Sequence, residues 1–180
     1  MRQSRYIQLP QACSFIEAAS EAYRLGKRWN CFITLHLETA GILPINASQH
    51  VRESLHRLGK YHKRNGIPFS HGWTLENSPI KGVHLHLVIH RPNDLPMHPI
   101  SYYWAVLRYF RIKRSKGILK VKKFWSHQCY ETNLSNVVNY SLKGLRKGAE
   151  AELLERTSFK IKETKDQGLI FGKRIGWSRL

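Results

Sequence analysis

The chain has 180 residues and carries 30 Lys and Arg against 12 Asp and Glu, a formal charge of +18 that implies a polyanionic partner, nucleic acid before an anionic membrane surface. A hydrophobic fraction of 42% and an aromatic fraction of 11% exclude wholesale disorder, and the length suits one domain with short extensions. No apolar run approaches the ~20 residues of a membrane-spanning helix, the first residues lack a signal peptide's apolar centre, and Cys13, Cys31 and Cys129 form no CxxC pair, which argues against a disulfide framework or Cys-based zinc site and for a reducing cytoplasm.

Phe15, Ala18, Ala19 and Ala22 recur at helical spacing and predict a helix over 11–25. Residues 29–37 (WNCFITLHL) alternate and read as the first core strand; 41–44 break the pattern. Val51, Leu55 and Leu58 form the apolar stripe of an amphipathic helix over 47–64, closed by Gly66, Ile67 and Pro68. Residues 69–76 (FSHGWTLE) and 83–90 (VHLHLVIH) read as two strands joined by a turn-rich segment. A loop over 92–99 leads into an aromatic-rich helix over 100–113, and 117–125 (GILKVKKFW) alternates as a strand. Asn133 is expected to cap a helix that runs to about Lys147. Residues 148–165 read as a weak helix, and 169–179 as a late strand or surface segment. The order α-β-α-β-β-α-β-α predicts an α+β domain, a largely antiparallel central sheet covered by helices in a split-βαβ, ferredoxin-like arrangement.

Alternate residues of a strand share a face. Val83, Leu85, Leu87 and Ile89 therefore oppose His84, His86 and His90, and Trp73 and Leu75 oppose Thr74 and Glu76. Matching the apolar faces of a hairpin places Glu76 across from either His84 or His86. Two imidazoles and one carboxylate on a solvent-facing patch suit a divalent cation such as Mn²⁺, Zn²⁺ or Fe²⁺; the alternative is a polar face that simply meets water. His90 falls about two residue pairs away, and His36 and Glu38 read as surface or supporting groups.

Leu134, Val138, Leu142 and Leu145 form the stripe of the helix after Asn133. On a wheel of ~100° per residue Tyr140 lies far from that stripe, with Asn136, Lys143 and Lys147 on its side. A phenol one turn from an ammonium fits a nucleophilic oxygen held near a phosphate, or a solvent-exposed tyrosine on a basic face.

Taken in order, 31–37 (CFITLHL), 82–89 (GVHLHLVI) and 137–143 (VVNYSLK) resemble the three motifs of the HUH superfamily of single-strand endonucleases, in the order of its replication-initiator (Rep) branch. The resemblance covers about residues 29–147. It implies an RRM-like antiparallel sheet, a divalent metal (Mn²⁺ or Mg²⁺) on Glu76, His84 and His86, a single catalytic Tyr140 and an assisting Lys143. The implied activity is metal-dependent nicking and joining of single-stranded DNA through a 5′-phosphotyrosine, initiating rolling-circle replication. Relaxases place the tyrosine before the histidines and are disfavoured. Single-strand insertion-sequence transposases share the order, and a non-catalytic RRM-like nucleic-acid-binding module is the rival outside enzymes. The closing 171–177 (FGKRIGW) resembles the end of some filamentous-phage replication proteins.

On this reading the chain divides into an N-terminal helical extension (1–28), a nuclease core (29–147) and a basic C-terminal extension (148–180) that could pack on the core. Arg111, Lys113, Arg114, Lys116, Lys120, Lys122, Lys123 and Lys147 are expected to line a groove for single-stranded DNA or an origin hairpin, the alternative for the Lys run being a solvated hairpin; Trp125 offers a stacking surface, whereas Tyr102 and Tyr103 read as core before stacking surfaces. No Walker A glycine loop occurs, so unwinding is expected of a separate helicase, beside a polymerase. No membrane partner is expected, and a monomer is expected over an obligate dimer.

Overall fold

The alternating segments form strands, and the stripes of apolar residues form the helices that cover them. In a computed structural model of the chain, residues 3–92, 99–123 and 129–178 are described. The elements are β1 (Gln3–Ser4), α1 (Leu9–Arg24), β2 (Cys31–His36), a 3₁₀ turn (Pro44–Asn46), α2 (Ala47–Arg64), β3 (His71–Ser78), β4 (Gly82–Ile89), α3 (Pro99–Tyr109), β5 (Leu119–Lys123), α4 (Tyr130–Leu142), α5 (Glu150–Thr157), β6 (Ile170–Phe171) and β7 (Ile175–Trp177). Five strands form one antiparallel sheet in the order β5-β2-β4-β3-β7, and β1 pairs with β6 beside it. This is the α+β, ferredoxin-like architecture expected.

The β3–β4 hairpin closes where Ser78 pairs with Gly82. Gly82 has φ 62°, and a Cβ there would collide with the Glu38 carboxylate. Glu38 Oε2 instead accepts the Val83 N–H at 3.0 Å. The register that results sets Glu76 against His84 and Thr74 against His86, one of the two pairings that face-matching allows. On β2, His36 and Thr34 stand beside the same two histidines.

One face of the sheet is apolar throughout. Ile33, Leu35, Trp73, Leu75, Leu85 and Leu87 pack against Val51, Leu55 and Leu58 of α2 and Tyr102, Val106 and Phe110 of the α3 segment. The other face does not meet solvent as expected. Phe32, Val88 and Ile175 interrupt its polar pattern and are covered by Ala12, Phe15, Ala19 and Ala22 of α1 and by Val138 and Leu142 of α4. Both helices have apolar stripes of their own to bury, and this face is where they bury them. Gly72 permits the contact, since a Cβ there would lie 2.6 Å from the Trp29 ring and 2.7 Å from Phe15.

Two boundaries differ from the sequence reading. Asn133 is not a cap: Cys129, with extended backbone (φ −60°, ψ 149°), precedes α4, and the Asn133 amide donates to its carbonyl from inside the first turns. The helix stops at Leu142, so Lys143 sits at its end rather than in its middle. Trp125 lies outside the described residues, and Tyr102 and Tyr103 are core residues, as their preferred reading has it.

The two ends of the chain meet at Arg174, which is 1% exposed. Its guanidinium donates to the carbonyls of Leu75 (3.3 Å), Gln167 (3.4 Å), Ser4 (2.9 Å) and Gly168. Burial pulls this group down to about 10, against the opposing pull of Asp166 and Glu76. Among the described residues, no helix is long and apolar enough to cross a membrane.

Candidate metal centre

Hairpin register brings Glu76, His84 and His86 together, and their ligand atoms lie within 4.8 Å of one another. Glu76 Oε2 is 3.1 Å from His84 Nε2, 3.1 Å from His86 Nε2 and 2.7 Å from Lys143 Nζ. The histidines are 4% and 2% exposed, and Tyr140 of α4 lies against His86, so the site is buried rather than on an open sheet face. Burial pushes the Glu76 carboxyl up, but the close contacts with His84, His86 and Lys143 outweigh it and hold the group ionised, well below the usual carboxylate range. Burial also takes His86 down to about 4, against the opposing pull of Glu76, which leaves its imidazole neutral at pH 7.

The donor set fits a divalent cation. His84 Nδ1 lies 3.1 Å from the Gly82 carbonyl, an acceptor only, so this nitrogen carries the proton. In a neutral ring the Nε2 lone pair then points at the Glu76 carboxylate, acceptor against acceptor. A cation between them resolves the conflict, and a backbone carbonyl that orients the far nitrogen is the usual support of a ligating histidine. His86 Nδ1 is 3.2 Å from Thr34 Oγ1, a hydroxyl that can donate or accept, and its Nε2 faces the carboxylate. Several nitrogens also converge on one carboxylate oxygen, which offers only about two lone-pair sites. His36 stacks on His84 at 5.5 Å and His90 is held elsewhere, its Nδ1 donating to the Arg28 carbonyl at 2.8 Å.

The end of α4 delivers Tyr140 to this cluster. Its ring stands edge-on to His86 (4.8 Å, 89°) and to Phe32 (5.7 Å, 77°), and the residue is 43% exposed. Lys143 Nζ lies over the Tyr140 ring, 4.0 Å from its centroid, while ion-paired to Glu76. Sequence spacing brings Lys143 beside Tyr140; only the fold shows that the ammonium also reaches the carboxylate. Tyr130 is held away, its hydroxyl donating to the Trp29 carbonyl at 3.2 Å. Gln167, which no sequence motif marks, is buried against Glu76 from the C-terminal segment.

The basic residues lie mostly around β5, the outer strand of the sheet. Arg111, Lys113, Arg114, Lys116, Lys120 and Lys147 are exposed. Lys120 pairs with Thr34, on the strand next to His86, and Lys122 and Lys123 are in register with Phe32 and Cys31. Arg114 is not wholly free, since its guanidinium stacks 3.6 Å over Trp104.

Comparison with curated proteins and with solved structures finds no match. A family model for replication-associated proteins of the ORF2 type matches residues 30–149, two thirds of the chain. That span begins just before β2 and ends after α4, so it contains Glu76, His84, His86, Tyr140 and Lys143. The chain belongs to this family of replication-associated proteins.

Proposed function

We propose that this protein is a metal-dependent, single-tyrosine endonuclease and strand transferase that nicks single-stranded DNA to initiate rolling-circle replication. The observation that carries the reading is the contact of Tyr140 with His86: a partly exposed phenol borders the one buried cluster, among the described residues, that suits a divalent cation. The resemblance to the Rep branch of the HUH superfamily supports the same assignment.

Glu76, His84 and His86 would hold the cation, Mn²⁺ or Mg²⁺, which supplies Lewis-acid polarisation of the scissile phosphate. The Tyr140 oxygen attacks phosphorus in line, forming the O–P bond as the P–O3′ bond breaks. The phenol proton passes to solvent, and the departing 3′ oxygen takes one from solvent to become a free 3′-hydroxyl. Phosphodiester energy is retained in the 5′-phosphotyrosine, so attack by another 3′-hydroxyl rejoins a strand. Lys143, tied to Glu76 and lying over the ring, restrains the phenol and adds positive charge beside the phosphate. The exposed cations around β5 bind the flanking single strand. A helicase and a polymerase act as separate partners.

The test incubates the protein with Mn²⁺ and a labelled single-stranded oligonucleotide, then maps any denaturant-resistant adduct by peptide mass. Wild type forms an adduct at Tyr140 that chelation abolishes. Tyr140→Phe, which loses only a hydroxyl, reduces it by about 10⁴-fold or more, and Lys143→Ala slows it by about 10- to 100-fold. An adduct at Tyr130 or Tyr103, or full adduct from Tyr140→Phe, refutes the assignment. Cleavage without an adduct points to a water nucleophile.

A further inference from the structure

The C-terminal segment outside the family-matched span reaches the metal centre through the Gln167 side chain. Gln167 is 6% exposed. With its amide nitrogen toward β3, it donates to Glu76 Oε2 at 2.8 Å and Oε1 at 3.2 Å. The reverse orientation gives one long bond to the Asp166 carbonyl (3.3 Å) and sets the amide oxygen against the carboxylate. A buried anion with two oxygens in reach of the nitrogen decides between them.

We propose that Gln167 is a positioning residue for the metal centre: its amide holds the Glu76 carboxylate in the orientation that presents Oε2 to the cation. The proposal rests on the metal reading of Glu76, His84 and His86. A donor shared by both oxygens resists rotation of the carboxylate about its last carbon–carbon bond. Without it, a flexible glutamate would sample orientations in which Oε2 leaves the two imidazoles, and order lost before binding weakens the bound state.

The surroundings hold this one side chain in place. The Asn77 N–H donates to the Gln167 carbonyl at 2.8 Å, and the Lys165 N–H donates to the Lys143 carbonyl at 2.6 Å, which ties the segment to both β3 and the end of α4. Gly144 leaves room for the stem, since a Cβ there would meet Gln167 Cγ at 2.9 Å. Gly168, with φ 69°, lets the next residue lie against the Asn77 carbonyl. Arg174 clasps the carbonyls of both Gln167 and Gly168. The metal ligands thus lie within the family-matched span, and the group that orients one of them lies outside it.

The experiment is a calorimetric Mn²⁺ titration of the full chain as wild type, Gln167→Met and Gln167→Glu, with melting temperatures measured alongside without metal. Met keeps the length of the stem and removes the donors; Glu keeps the shape and replaces a donor with an acceptor. The expected result is Mn²⁺ affinity about 10- to 100-fold weaker in both variants, beyond any change in the Met variant's melting temperature. Wild-type affinity in Gln167→Met overturns the proposal. Tighter binding by Gln167→Glu also overturns it, because position 167 would then be a ligand. Should the Met variant fail to fold, affinity in Gln167→Glu equal to wild type is the overturning result. Absence of Mn²⁺ binding by wild type would remove the metal reading itself, and this proposal with it.

Discussion

Two sets of buried histidines stand on opposite sides of the sheet, and they differ in whether a neutral ring can be satisfied. On the α2 side, His62 Nδ1 donates to the Pro68 carbonyl at 3.2 Å and Nε2 accepts from the Tyr102 hydroxyl at 3.2 Å. Phe69 and Tyr102 border the ring. That histidine is complete as a core residue. On the other side, His84 donates from Nδ1 to the Gly82 carbonyl and turns Nε2 toward a carboxylate. A neutral ring cannot donate from both nitrogens. Burial alone therefore says little about a histidine; what faces its second nitrogen separates a packing residue from a candidate ligand.

The largest expected effect that tests this contrast is on metal affinity. His84→Ala should weaken Mn²⁺ binding by more than about 100-fold, because two remaining ligands hold a labile ion poorly. His62→Phe should leave it unchanged in the same calorimetric titration. Equal losses in the two variants would erase the distinction.

Stability against pH tests the structural set next. Burial lowers His62 to about 4 and His71 to about 3, from an ordinary 6.5. Between those values the unfolded chain binds protons that the folded chain does not, so stability rises with pH there. Stability should be fully present above about pH 7 and fall by a few kcal/mol as pH drops from 6.5 toward 4, at ~1.4 kcal/mol per unit of separation. Urea unfolding across that window checks the sign; a rise toward pH 4 would contradict it. The smallest effect is that of His62→Phe on stability at neutral pH. It leaves the Tyr102 hydroxyl without its acceptor and should cost about 1–3 kcal/mol in urea unfolding.

Much of the centre is legible in the strand and helix patterns. Glu76, His84 and His86 can be grouped because each lies on a strand whose opposite face is apolar, and matching those faces leaves two registers for the hairpin. The choice between them comes from the turn, where the positive φ of Gly82 and the Glu38 carboxylate on the Val83 amide close the hairpin. Tyr140 stands out because it falls off the stripe of its helix. The end of that helix is misjudged from spacing, since the apolar stripe continues to Leu145 while the helical backbone stops at Leu142. Leu145 instead packs in the second core cluster just past the helix end.

By itself the sequence determined which residues share a face, because a side-chain period of two along a strand and 3.6 along a helix follows from backbone geometry alone. Hence two imidazoles and a carboxylate could be picked out as a set and Tyr140 as a phenol off its helix stripe, while the resemblance of the ordered motifs joined the phenol to the set. Only the tertiary structure decided that this face is roofed by α1 and α4, that Lys143 reaches Glu76, and that Gln167 and Arg174 close in from the C-terminal segment. Polar alternation on a strand is the same whether water or a helix lies above it. Contacts between residues distant along the chain depend on where the loops between them lead, and no local spacing encodes that.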